Sequence, residues 1–208
     1  GGAVASYCTA LAGEHQALNG TVALAALQCV AEAGIAVTAD GIRRGFEQVD
    51  WPGRLEVVQR EPLLVLDAAH NGESALRLRA ALDALFNRRP LVLIFGASAD
   101  KDVTGMFRAL LPTVDVLIAA QAVHPRALEP AIIEEKAREV GFAGPVYQIP
   151  DVSKALRHAQ TLAGPAGMVL TTGSLFIVGE VRTVCGLPVG HVARATVEGP
   201  LPSDTVAF

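Results

Sequence analysis

Asp67 and His70 are the residues whose types and spacing most directly suggest chemistry. They lie in PLLVLDAAHN, residues 62–71, where a short apolar run hands over to polar side chains. A carboxylate at such a place can accept hydrogen bonds from ribose hydroxyls. An imidazole beside it can bind a carboxylate or move a proton near neutral pH. Arg54 follows the rigid pair Pro52-Gly53, and its guanidinium offers paired donors that suit phosphate. Ser174 follows Gly173 at a helix start, where a hydroxyl and unpaired N–H groups together hold anions. Asn19 belongs to a polar group, Glu14-His15-Gln16-Ala17-Leu18-Asn19, on an otherwise apolar segment.

Plainer readings stand beside these. Asp67 and Asn71 can cap the helix that follows, and so can Ser174. His70 can bond the backbone, Arg54 can sit on the surface, and Asn19 can be satisfied within its own helix. Lys101, between Asp100 and Asp102, reads as a surface ion pair of little worth. Arg126 sits in another strand-to-helix loop and receives no role. His15, His124, His158 and His191 are scattered, so no metal cluster is expected. Cys8, Cys29 and Cys185 lack a C-x-x-C pair and read as buried free thiols.

The elements that must position these groups follow from periodicity. Leu63, Leu64, Val65 and Leu66 form an apolar run of strand length, which suits a strand buried on both faces. Residues 73–86 repeat apolar side chains every three or four positions, as a helix does. The alternation continues with strands over 91–95, 114–120, 146–149 and 168–172. Helices follow each, ending near 111, 140, 162 and 182. Strands alternating with helices predict an α/β fold with a mainly parallel sheet covered on both faces. Residues 55–59 add a sixth strand, two residues from the next and therefore antiparallel to it. Ligands of such sheets collect outside the carboxyl ends of the strands, where Asp67, His70 and Ser174 lie.

Before Trp51 the pattern differs. Residues 3–11 suit a strand, and residues 15–33 a long, mostly buried helix ended by Gly34. Thr38 can cap a shorter helix to Gln48. Trp51-Pro52-Gly53-Arg54 breaks the pattern and marks a domain boundary. From Gly186 the prolines and glycines predict an irregular tail.

The chain has 208 residues and is 51% apolar, enough for one full domain and part of another. A net charge of −4 argues against a nucleic-acid surface. No apolar run approaches the ~20 residues of a membrane span, and no signal peptide is evident. A cytoplasmic monomer is the expectation. The only methionines are Met106 and Met168 and the chain opens Gly1-Gly2-Ala3, so it reads as a piece of something longer.

Six pieces occur in a familiar order. They are Gly13-Glu14-His15-Gln16-Ala17-Leu18-Asn19, Trp51-Pro52-Gly53-Arg54-Leu55-Glu56 and Leu66-Asp67-Ala68-Ala69-His70-Asn71, followed by Asp100-Lys101-Asp102, Pro125-Arg126-Ala127 and Gly173-Ser174-Leu175-Phe176-Ile177-Val178-Gly179-Glu180. In these, residues from about 11 to 182 resemble the carboxyl-terminal part of the folylpolyglutamate synthase/dihydrofolate synthase family of the Mur ligase superfamily. Ala68 stands where that family usually has glycine, and Gly20 where it has alanine.

The resemblance implies a Rossmann-like six-stranded domain of the Mur ligase C-terminal type over residues 51–185. Residues 1–50 would be an incomplete end of the central ATPase domain that leaves apolar helix surface uncovered, and 186–208 the tail. It implies an ATP-dependent ligation of L-glutamate to a folate or dihydropteroate through an acyl phosphate. Arg54 would meet the ATP phosphates, Asp67 the ribose and Asn19 the base. His70 would act at the reaction centre near glutamate, with Ser174 on the glutamate carboxylate. The family's phosphate loop, G-x-x-G-K-[ST], is absent, since none of Lys101, Lys136 and Lys154 follows a glycine. The Mg2+ ligands are likewise expected in a missing amino-terminal ATPase domain, the partner of this chain, which alone should be inactive. Two alternatives remain open, another Mur-type amino-acid or peptide ligase and a nucleotide-binding module without catalysis.

Overall fold

The computed structural model describes residues 6–188. Its centre is one six-stranded sheet built from β1 (Glu56–Arg60), β2 (Leu63–Leu66), β3 (Leu91–Phe95), β4 (Val116–Ala119), β5 (Val146–Gln148) and β6 (Met168–Thr172). The spatial order is β1-β2-β6-β3-β4-β5. β1 runs antiparallel to β2, and the other pairings are parallel. β2, β3 and β6, the three central apolar runs, are buried along their whole length.

Helices α3 (Gly72–Leu85), α4 (Val103–Leu110) and α5 (Pro130–Glu139) connect β2 to β3, β3 to β4 and β4 to β5. All three connections step across the sheet in one direction, so right-handed crossovers place these helices on one face. α6 (Val152–Ala163) carries the chain back to β6, and α7 (Leu175–Val184) follows. The reversed step puts both on the opposite face. Two cores result, as strand alternation requires. Val65, Leu93 and Leu170 pack with Leu78, Phe107 and Ile133, while Leu64, Ile94 and Val169 pack with Leu156, Ile177 and Val181. Phe95 and Phe107 meet at 4.6 Å between ring centroids, tilted by 53°.

This topology determines where a site can form. After β2 and β3 the chain leaves toward one face, and after β6, between them, toward the other. The divergence opens a crevice at the carboxyl ends of these strands.

The segment before the sheet departs from the mostly buried helix that its composition suggests and agrees with the uncovered apolar helix surface expected before Trp51. α1 (Glu14–Glu32) is the expected long helix, but it buries only Gln16. Leu18 is 61% exposed and Val22 69%. Its apolar residues run all round the helix, and the described chain covers them only in part. The expected strand over 3–11 is absent from its described residues, 6–11. That stretch instead touches α2 (Ala39–Gln48), with the Ala10 N–H donating to the Phe46 carbonyl at 3.0 Å. Cys8 and Cys29 are exposed rather than buried because they lie on this uncovered segment, and Cys185 is partly buried. Thr38 caps α2 as predicted, accepting the Gly41 N–H at 3.1 Å. Of the predicted irregular tail, residues 186–188 carry no helix or strand, and 189–208 lie outside the described residues. No helix among the described residues is long and apolar enough to cross a membrane.

Candidate active site

Asp67 directly follows β2 and is buried. Its Oδ2 accepts the Leu55 N–H and its Oδ1 the Ala69 N–H, both at 2.9 Å. Burial pushes its pKa up, against the pull of those two N–H groups and of the charges on Arg54 and His15. Asp67 is therefore not the helix cap. Asn71 is, with its Oδ1 accepting the Ser74 N–H at 2.8 Å while Ser74 Oγ accepts the Asn71 N–H at 3.1 Å.

The linker into β1 is shaped around the same carboxylate. Leu55 has a φ of 46°, the one positive value at a non-glycine among the described residues. Such a conformation costs of order 1–3 kcal/mol, and a hydrogen bond to a charged group, worth about 1.5–3 kcal/mol, can offset it. Gly53 has a φ of 72°, and a Cβ there would stand 3.0 Å from Val178 Cγ1. Its carbonyl accepts the Ala68 N–H at 2.9 Å, tying the linker to the β2 loop.

Between α1, α2, the linker and the β2 loop lies a cavity of about 910 Å³. This is within the range of small-molecule sites. Asn19, Arg54 and Asp67 all line it, together with His15, Trp51 and Asn71. None of the ion pairs among the described residues uses Arg54. The His15 pKa is lowered by burial first and by Arg77 and Arg54, with Asp67 pulling the other way. His15 Nε2 lies 3.1 Å from Gln16 Nε2, and Asn19 Nδ2 donates to Gln16 Oε1 at 3.0 Å. The local partner expected of a helix amide thus exists for Asn19.

His70 and Ser174 are not part of that lining. His70 Nδ1 lies 3.0 Å from the Ala68 carbonyl. A carbonyl only accepts, so Nδ1 carries the hydrogen and Nε2 of the neutral ring is left as an acceptor. Ser174 is buried and caps α7, accepting the Ile177 N–H at 3.3 Å. The two loops are joined at the Ala69 carbonyl, which accepts the Gly173 N–H at 3.1 Å and Thr172 Oγ1 at 3.4 Å. The five candidates therefore divide into three on the cavity and two on the adjoining ends of β2 and β6.

The sequence places His15 and Trp51 in two of the six matching pieces but assigns neither a role at the site. The spacing of His15 and Asn19, four apart on one helix, puts both on one face and was the available signal. Lys101 pairs with Asp100 at 3.1 Å on the surface, as expected, and Arg126 Nη1 lies 3.7 Å from the same carboxylate. Among the described residues no group of three or more His, Cys, Asp or Glu could hold a metal ion.

A family model described as the Mur ligase glutamate ligase domain matches residues 53–175. A probable bifunctional folylpolyglutamate synthase/dihydropteroate synthase of Halobacterium salinarum is 39% identical over 173 residues, 83% of this chain and 20% of that protein. Folylpolyglutamate synthase of Mycobacterium tuberculosis, solved with ADP and AMPPCP, superimposes with a TM-score of 0.78 at 34% identity, over 86% of this chain and 42% of that one. A bifunctional folylpolyglutamate synthase/dihydrofolate synthase with Mn, AMPPNP and L-glutamate bound gives 0.67 at 28% identity, over 78% and 38%. The chain thus spans a fifth to two fifths of the length of these relatives. On the family match, which covers more than half of its residues and all six of its strands, the chain belongs to the Mur ligase family and carries its glutamate ligase domain.

Proposed function

We propose that this chain is part of an ATP-dependent ligase that joins L-glutamate to a folate or dihydropteroate. The observation that carries the reading is the convergence of Asn19, Arg54 and Asp67, from three separate elements, on one cavity. A base acceptor, a phosphate cation and a ribose acceptor are the groups a nucleotide requires. Relatives solved with ADP, AMPPCP, AMPPNP and L-glutamate support it.

In this reading a substrate carboxylate is phosphorylated by ATP, the glutamate amine attacks the acyl phosphate, and ADP and phosphate leave. The reactants are all anionic, so positioning and charge neutralisation supply most of the catalysis. Arg54 holds nucleotide phosphate, Asp67 the ribose hydroxyls and Asn19 the base. Ser174 and the start of α7 hold a glutamate carboxylate. His70, its Nδ1–H engaged by the Ala68 carbonyl, presents Nε2 to the glutamate or to the proton its amine releases. Mg2+ belongs to the proposed ATPase domain that precedes this one. The described residues offer no ligand set for it, so no step here runs through it. The domain boundary falls at Trp51, and the cytoplasm, which supplies ATP, is the proposed location.

The test is steady-state kinetics on the ligase-competent protein, with ATP and glutamate varied separately. Asp67→Asn should raise the ATP requirement and His70→Ala should impair the glutamate-dependent step. If His70→Ala leaves glutamate kinetics unchanged while Asp67→Asn raises only the glutamate requirement, the two ends of the turn are assigned the wrong way round. If neither variant alters either substrate, the turn is structural.

A further inference from the structure

Arg182 is a charged residue near the end of α7, yet it is only 8% exposed. Its guanidinium has two partners, one distant in the chain and one six residues on. Nη1 donates to Glu56 Oε1, and Nη2 donates to the Pro188 carbonyl at 2.9 Å. Glu56 opens β1, immediately after the linker. Its second oxygen, Oε2, accepts the Gly53 N–H at 2.8 Å. One carboxylate therefore joins the buried end of α7 to the residue just before Arg54.

The linker is held on both sides of Arg54 by acids, the partly buried Glu56 and the buried Asp67. On one side Glu56, fixed by Arg182, takes the Gly53 N–H. On the other Asp67 takes the Leu55 N–H. Gly53 takes its φ of 72° freely, but Leu55, at 46°, adopts it only at a cost, so the linker's backbone is not one it would favour unaided. An ion pair with one buried and one partly buried member is a poor means of gaining stability, because desolvation offsets much of the attraction. What such a pair does well is fix one geometry. Here the geometry fixed is that of the residue carrying the cavity's unpaired cation.

We propose that Arg182 and Glu56 are positioning residues for nucleotide binding, acting through the Gly53 N–H to aim the Arg54 guanidinium at phosphate. The inference rests on the reading of the cavity as a nucleotide site. Neither residue lines the cavity, so neither touches the nucleotide itself. The same helix starts at Ser174 and ends beside Arg182, so one rigid element of 10 residues spans the proposed glutamate end and the linker.

The experiment uses the 208-residue chain and its single tryptophan, Trp51, which lines the cavity and reports ligand by fluorescence. ADP and adenosine are titrated into the wild type, Arg182→Met, Glu56→Gln, Arg54→Ala and the Arg54→Ala/Arg182→Met double variant. Thermal unfolding checks each fold, and Glu56→Gln keeps the test alive if Arg182→Met does not fold. Arg182→Met should weaken ADP about tenfold, the equivalent of one charge-assisted contact, and leave adenosine unchanged. The double variant should bind ADP no worse than Arg54→Ala alone. Equal losses for adenosine and ADP, or full additivity with Arg54→Ala, would mean general structural damage and overturn the proposal. Wild type that binds ADP with Arg182→Met and Glu56→Gln unaffected overturns it alone. Wild type that binds no ADP overturns the reading of the cavity and this inference with it.

Discussion

The helical segment 14–48 and the sheet domain that follows use the same residue types to opposite ends. Leu64, Val65 and Leu66 of β2 are completely buried, whereas Leu18 and Val22 of α1 are 61% and 69% exposed. Apolar composition is thus equally available to both, and topology decides which part forms a core. The sheet has helices on both faces and two packed layers. α1 buries a single residue, Gln16, and meets the cavity along one side from His15 and Asn19 to Ala23 and Leu27. One wall of the candidate site is rigid and the other is lightly held, which suits a cleft that closes on its ligands.

The largest effect should come from breaking the rigid side. Phe107→Ala removes a fully buried ring packed on Phe95 and should destabilise the domain by about 3–5 kcal/mol in urea unfolding. Leu18→Ala, on the lightly held side, should change stability by less than about 0.5 kcal/mol. Comparable losses at both positions would remove the contrast.

A smaller effect should appear where the two regions meet. Arg54→Ala removes a phosphate contact worth about 1.5–3 kcal/mol and should weaken ADP accordingly in calorimetric titration, without changing the unfolding midpoint. His70→Ala, outside the cavity, should leave ADP affinity unchanged.

The smallest effect concerns pH, and the facing groups carry opposite signs. His15 has a pKa lowered from 6.5, so the unfolded chain binds its proton more readily. Its contribution to stability is present above pH 6.5 and is lost as pH falls below that value. Asp67 has a pKa raised from 3.8, so the folded chain binds its proton more readily. Its contribution is most favourable at or below pH 3.8 and declines as pH rises through the raised value. Urea midpoints against pH should therefore lose the fall below 6.5 in His15→Gln and the fall above 3.8 in Asp67→Asn. Unchanged profiles would mean that burial does not govern either group.

The sheet was legible because each strand is a short apolar run bounded by turn residues, and β2, β3 and β6 show it most clearly. The composition of α1 alone misleads, since a helix rich in alanine and leucine is buried only if something covers it; its uncovered surface is legible only from reading the segment as part of an incomplete domain. The exposure of Cys8 and Cys29 follows from the same cause. Asp67 and Asn71 are equally good caps by residue type. Only the backbone decides between them, by bringing the Ser74 N–H to Asn71 and the Leu55 N–H to Asp67. The division of the five candidate residues between a cavity and an adjoining pair of strand ends also needed coordinates, because it depends on how the linker returns past β2. Residue type alone does not mark Arg182 as part of a site, since an arginine late in a helix commonly complements the helix dipole.

The central claim is that adenine nucleotide occupies the cleft between α1 and the end of β2. Hydrogen exchange of backbone amides with and without ADP maps this directly. The account predicts slowed exchange over residues 14–20, 51–55 and 67–71, with none over β5 and α5. Protection confined to the start of α7, or no protection at any segment at saturating ADP, would contradict it.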